Sequence, residues 1–250
     1  MSEGLKIVKA TFAKSLTPNQ EPAQPAPVDP AGRGTFEVTD EKLYISLALA
    51  SLPPKGWLLF EVLHKDTPQV RAVLADFAQV PAAVRTRSPV FLGTYWEPEA
   101  RIISDQFVFA FYFKADEQSA PRPLGRYGLR IVPPADALPS RIASVVVTGG
   151  ATPTHEPLPA PAQFAFNQPV YLVMHGDLGK GSHLSVQWDR GGEGMTQSIH
   201  LTQNQKDQKF SLYFVPEAGW SAGDHQATVF LNDQEVGRYP FRVGPGRPTA

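Results

Sequence analysis

Short apolar runs of strand length occur twice in this chain in the same order, and that repeat limits the possible fold more than any other feature. Residues 5–10 open one series and residues 142–147 the other. A proline-rich connection follows each, with Pro18, Pro22, Pro25, Pro27 and Pro30 in the first and Pro153, Pro157, Pro159 and Pro161 in the second. Residues 35–38 then match 163–166, 43–47 match 170–174, and 57–62 match 183–188. Further on, 107–113 match 210–214 and 125–131 match 223–229. Strand-sized runs separated by turn clusters indicate a β-sandwich. Period two is clearest at Leu184, Val186 and Trp188, which share one face while His183, Ser185 and Gln187 share the other.

The expected architecture is therefore all-β, with two tandem immunoglobulin-like antiparallel β-sandwiches at 1–135 and 140–250. The boundary lies in the proline-rich stretch at 133–139, which is semi-rigid by composition. The first copy carries an insertion near 67–87. Within it Val70, Val73, Leu74 and Phe77 recur at helical spacing, with Thr67 placed to cap and Pro81 beyond the end, so a short helix is expected there. The second copy closes with a hairpin turning at Asn232-Asp233. The first shows no such final strand before Pro133, so its sheet is expected to lack one.

Two further positions resemble features of immunoglobulin-like domains. Trp188 resembles the core tryptophan of the third strand, and Gly125-Arg126-Tyr127 resembles the tyrosine corner, with His225 in that place in the second copy. Gly219-Trp220, Gly223 and the run Val236-Gly237-Arg238-Tyr239-Pro240-Phe241 are similar to immunoglobulin-like modules appended to bacterial envelope and surface proteins. That resemblance implies a β-sandwich and a binding role; this fold hosts many of them.

A formal net charge of −1 and only short basic clusters, such as Arg85 and Arg87, argue against nucleic acid as a partner. Without cysteine there can be no disulfide, thiol catalysis or zinc–thiolate site. Residues 1–10 lack a signal-peptide pattern and no apolar run is long enough to span a bilayer. The expected location is cytoplasmic if the chain is complete, and periplasmic or surface if it is a piece of a longer protein.

Candidate chemistry is sparse. The segment 174–183 imitates a phosphate loop, but Met174 stands where the first glycine is needed and Gly181 where Ser or Thr is needed. His175, Asp177 and His183 could offer metal ligands, without a third spaced histidine. Glu97 and Glu99 could imitate a glycosidase pair, although acids in a Glu-Pro-Glu turn are ordinarily surface charge. No Gly-x-Ser-x-Gly elbow occurs. No enzymatic activity, cofactor or metal is expected on these grounds.

The most informative anomaly is a pair of runs without a polar face. Phe107, Phe109, Phe111 and Phe113 point one way, Val108, Ala110 and Tyr112 the other, and Trp57-Leu58-Leu59-Phe60 is similar. A strand apolar on both faces must be covered on both. Either the 67–87 insertion or the second domain covers the outer face, or a partner or second copy of the chain does. The sequence thus points to a non-enzymatic protein-interaction or structural module, an oligomeric component of a bacterial envelope, secretion or surface assembly. Its candidate contact residues are Trp57, Leu59, Trp96, Val108, Tyr112 and Trp220. The alternative is carbohydrate binding on exposed tryptophans, Trp57, Trp96 or Trp220.

Overall fold

The computed structural model describes residues 5–98, 102–189 and 194–245. The chain divides into two compact units, Met1–Ala100 with Ser104–Val132, and Arg101–Ile103 with Pro133–Ala250. Both are all-β. In the first unit the strands are β1 (Ile7–Leu16), β2 (Pro22–Pro25), β3 (Gly34–Glu37), β4 (Leu43–Leu49), β5 (Trp57–His64), β6 (Thr67–Asp76), β7 (Val90–Trp96), β8 (Ser104–Lys114) and β9 (Arg122–Val132). A 3-10 turn at Phe77–Gln79 and a one-turn helix α1 (Ala82–Arg85) separate β6 from β7. The second unit holds β10 (Arg141–Thr148), β11 (Val170–Leu178), β12 (His183–Asp189), β13 (Gly194–His200), β14 (Gln205–Phe214), β15 (Gly223–Leu231) and β16 (Gln234–Val243). No helix among the described residues is long and apolar enough to cross a membrane.

The first unit pairs its strands in the orders β2-β1-β4-β7 and β3-β9-β8-β5-β6; the second uses β10-β11-β14 and β13-β12-β15-β16. Without β2 and β3, the first set repeats the second strand for strand. The proline-rich connections carry the chain from one sheet to the other. In the first unit β3 then pairs parallel to β9, and in the second Phe164 makes a parallel bridge to Val243. Phe36 and Phe164, the residues so placed, are both buried.

Inward-facing residues of both sheets form each core. In the second unit Val170, Leu172, Met174 and Phe214 pack against Leu184, Val186, Trp188, Ala227, Val229 and Phe241. In the first, Phe12 on one sheet meets Phe109 on the other at 5.9 Å between ring centroids, and Trp96 meets Phe107 at 5.1 Å.

Three expectations change. The 67–87 insertion is not a helix over Thr67 to Phe77. Lys65 and Asp66, both at positive φ, form a two-residue turn that sends the chain back along β5 as β6. Such turns match the twist of paired strands. Val70, Ala72 and Leu74 alternate with the more exposed Arg71 and Val73, so the segment also carries period two. The free edge of β5 decides between the two patterns by supplying backbone partners. Helix survives only in α1, where Arg85 donates to the carbonyls of Val80, Pro53 and Pro54.

Secondly, two of the strand matches move by one. Residues 107–113 lie in β8, whose counterpart by pairing is β15, not β14; residues 125–131 lie in β9, whose counterpart is β16. The first unit therefore lacks no final strand. The sequence reading also passed over β7, the counterpart of β14.

Thirdly, Tyr127 does not form a tyrosine corner, because it lies within the last strand of its unit. His225 does what that corner does. It sits near the start of β15, is buried, and its Nε2–H donates to the carbonyl of Ser221 at 2.8 Å, four residues upstream. Its ring stacks on Phe241, with centroids 5.5 Å apart.

Candidate functional site

Pairing of β5 with β8 brings four of the six expected contact residues onto one face. In this register Trp57 lies opposite Lys114, Leu59 opposite Tyr112, Glu61 opposite Ala110 and Leu63 opposite Val108. Directly opposed residues share a face, so these eight side chains form a patch on the side of the β6-β5-β8-β9 sheet turned away from the core, where Glu61, Leu63 and Ala110 are themselves buried. Leu58, Phe60 and Val62 fill the core behind it. Trp57, Leu59, Val108 and Tyr112 are all half-buried. The insertion does not cap this face; β6 extends it sideways, adding Arg71 opposite Glu61 and Val73 opposite Leu59.

Trp96 and Trp220 do not belong to the patch. Trp96 is only 7% exposed and packs on Phe107. Trp220 is 2% exposed, surrounded by Trp188, Phe214 and Phe241, and its Nε1–H donates to the carbonyl of Gln168 at 3.1 Å. Trp188 is fully buried as well. A tryptophan platform for sugar is thus not assembled: three of the four indoles are core, and Trp57 is half-buried beside Leu59.

The patch contains a residue that sequence reasoning passed over. Glu61 is the lone acid in an otherwise apolar β5 run and is only 7% exposed. Arg71 donates to its Oε1, and the Tyr112 hydroxyl donates to its Oε2 at 3.0 Å. A buried carboxylate is tolerated when it is paired and hydrogen-bonded in this way. Burial, then the hydrogen bond to Glu61, pushes the Tyr112 phenol above its usual range, so it stays a neutral donor. Glu61, Tyr112 and Arg71, with Leu59, Lys114 and Pro121, line a groove of about 520 Å3. Beyond them Arg126 lies next to Ala110 in register and reaches Asp66 at 2.8 Å. The only signal in the sequence was an acid within an apolar strand.

The histidine candidates separate. His175 on β11 contacts Asp207 at 2.8 Å, whereas His183 belongs to the opposite sheet and stacks on His200 with centroids 4.4 Å apart. Asp177 accepts from the backbone of Asp207. Among the described residues no group of three or more potential metal ligands occurs. Glu97 pairs with Lys42 at 2.9 Å, and Glu99 lies outside the described residues. Burial first, and the charge of His200 next, hold the His183 pKa below the ordinary histidine value against the opposing charge of Asp233. Its folded form binds protons less readily than the unfolded form, whose pKa is about 6.5. The contribution of this ring to stability is therefore complete above that value and lost as pH falls towards the folded pKa. Thermal unfolding followed from pH 7.5 to 5.5 should show a smaller fall in midpoint for His183→Gln than for the parent; equal falls would contradict this.

No protein-family model matches the chain, and no curated protein does. Among solved structures it is similar to purple acid phosphatase PPD1 from yellow lupin (Lupinus luteus) seeds. The TM-score is 0.31 at 10% identity, covering 94% of this chain and 41% of the phosphatase. The chain thus spans about two fifths of that protein's length. It is also similar to the fibronectin(III)-like modules of Clostridium thermocellum CbhA, with TM-score 0.24, 12% identity and coverage of 90% and 94%. One of these two similar structures is an enzyme, and the expectation that the chain is not one is withdrawn. At such TM-scores neither likeness assigns an activity.

Proposed function

We infer that the chain is a protein-interaction module whose working surface is the outer face of β5 and β8. The observation that carries this reading is the groove around Glu61. Tyr112 is held in place by a satisfied buried carboxylate, beside the half-buried Leu59, in the middle of a sheet rather than at a fraying edge. A preorganised apolar surface favours binding because little freedom is lost when it is covered. Covering it contributes roughly 2–3 kcal/mol for each ~100 Å2 of apolar area removed from water. Lys114 and the largely exposed Arg71, which is already paired to Glu61, frame the groove with positive charge and favour a partner segment carrying carboxylates.

Leu59→Glu would place an acid in the centre of the patch without touching the core side of β5. Proteins retained from the native host by the immobilised parent chain should be lost on the Leu59→Glu chain, with the same unfolding midpoint for both. Retention of the same partners by the variant would place the binding surface elsewhere.

A further inference from the structure

We propose that the outer face of the other sheet of the first unit, around Tyr44 and Tyr95, is a binding site for a neutral oligosaccharide. Register pairs Tyr44 on β4 directly with Tyr95 on β7, and their ring centroids lie 5.6 Å apart with the planes tilted by 50°. Tyr95 is 48% exposed. Beside the rings, the turn between β1 and β2 folds down over the sheet and is pinned there. Thr17 and Gln20 close the turn by a backbone hydrogen bond of 2.9 Å, and the Ser46 hydroxyl donates to the carbonyl of Gln20 at 2.6 Å. Gln20 itself is held at φ 66°.

Gly93 leaves the space that the Leu16 and Gln20 side chains occupy. A Cβ there would come within 2.3 Å of Leu16 Cδ1 and 2.7 Å of Gln20 Oε1. The turn and the tyrosine pair enclose a groove of about 390 Å3, lined by Ser15, Leu16, Thr17, Gln20, Tyr44, Gly93, Thr94 and Tyr95. Among the described residues, none that lines it carries a charge. At its margin Lys42 and Glu97 neutralise each other at 2.9 Å, with the Lys42 ammonium 4.6 Å from the centre of the Tyr95 ring.

The chemistry of this lining specifies its ligand. Among the described residues, the side-chain polar groups of Ser15, Gln20, Tyr44 and Tyr95 have no hydrogen-bond partner in the protein. Two hydroxyl-bearing rings, a serine hydroxyl and a carboxamide thus converge, able to donate and accept but not to neutralise charge. A ligand rich in hydroxyls, uncharged, and with C–H faces to lie on aromatic rings fits that set; an anion or cation would be desolvated without compensation. A neutral sugar chain has these properties. This site uses tyrosines, and it lies on a different sheet from the groove around Glu61.

Titration calorimetry of the full chain with neutral hexasaccharides of glucose, xylose, mannose and N-acetylglucosamine tests the assignment. At least one should bind, and Tyr95→Ala should weaken it tenfold or more while Tyr95→Phe stays within about threefold. Gln20→Ala supplies a second variant, expected to weaken binding severalfold, should Tyr95→Ala unfold. Leu59→Glu should bind the sugar like the parent, which separates this site from the protein-binding face. No heat with any of the four sugars at millimolar concentration would overturn the proposal. So would binding restricted to an acidic oligosaccharide such as oligogalacturonate, or full-strength binding by both Tyr95→Ala and Gln20→Ala.

Discussion

Trp188→Ala should destabilise the second unit by about 3–5 kcal/mol, the usual cost of emptying a large aromatic site in a core. Trp188 is fully buried on β12, opposite Ala227 of β15, in a ring cluster with Phe214, Trp220 and Phe241. Its Nε1–H donates to the Gln197 side chain on β13 at 3.1 Å, so truncation empties a volume and leaves that carboxamide without its donor. Neighbours from both sheets line the space, and neither sheet can shift into it without breaking its own ladder. Hydrogen exchange on the full chain reports the loss in the right place, because the slowest amides of β12 and β15 track opening of their own unit. Their protection should fall by a factor of about a hundred or more, since each 1.4 kcal/mol is tenfold. The amides of β5 and β8 should keep theirs. A loss under 1 kcal/mol in β12 would mean that Trp188 is not the centre of that core.

The second large effect concerns Glu61, and here the contrast between variants matters more than any single value. Arg71→Leu removes the charge partner of a carboxylate that is 7% exposed, leaving it the Tyr112 hydroxyl alone. A fully buried carboxylate so orphaned would cost about 3–5 kcal/mol. Because the Arg71 side chain is 72% exposed and its pairing is screened by water, about 1–3 kcal/mol is expected instead. Adding Glu61→Leu should restore most of that loss, since the two groups are then replaced by apolar side chains on a face already lined by Leu59 and Tyr112. A double-mutant cycle should give a coupling of at least about 1 kcal/mol between positions 61 and 71. Additive effects would show that the pair does not act as a unit.

The Glu61–Arg71 result bears on how the first unit presents its surface. A carboxylate that hydrogen-bonds a tyrosine and an arginine fixes two side chains that would otherwise sample several rotamers, so the groove keeps one shape. The phenol that Glu61 holds is shifted upwards by burial, and Tyr127 and Tyr239 are shifted the same way. All three therefore stabilise fully below their unfolded value of about 10, and that contribution is lost as pH rises through their folded values.

Some of this could be read from residues alone, because alternation and turn chemistry act over a few positions. Leu184, Val186 and Trp188 had to face one way once β12 was a strand, and Asn232-Asp233 had to turn because both residues tolerate positive φ. The doubly apolar runs of β5 and β8 likewise announced themselves locally, and Leu59, Val108 and Tyr112 lie on one face of the sheet. Tertiary structure alone decided which strand lies beside which. A segment with both helical and strand spacing at 67–76 became β6 because β5 offered a free edge, and the match of β8 to β14 failed because partners, not order, define a sandwich strand. It also decided which tryptophans are core and that Glu61, Arg71 and Tyr112, separated by up to 51 positions, would meet. Side-chain chemistry between distant residues follows from sheet register, and register is settled by the packing of whole faces, which no short window of sequence contains.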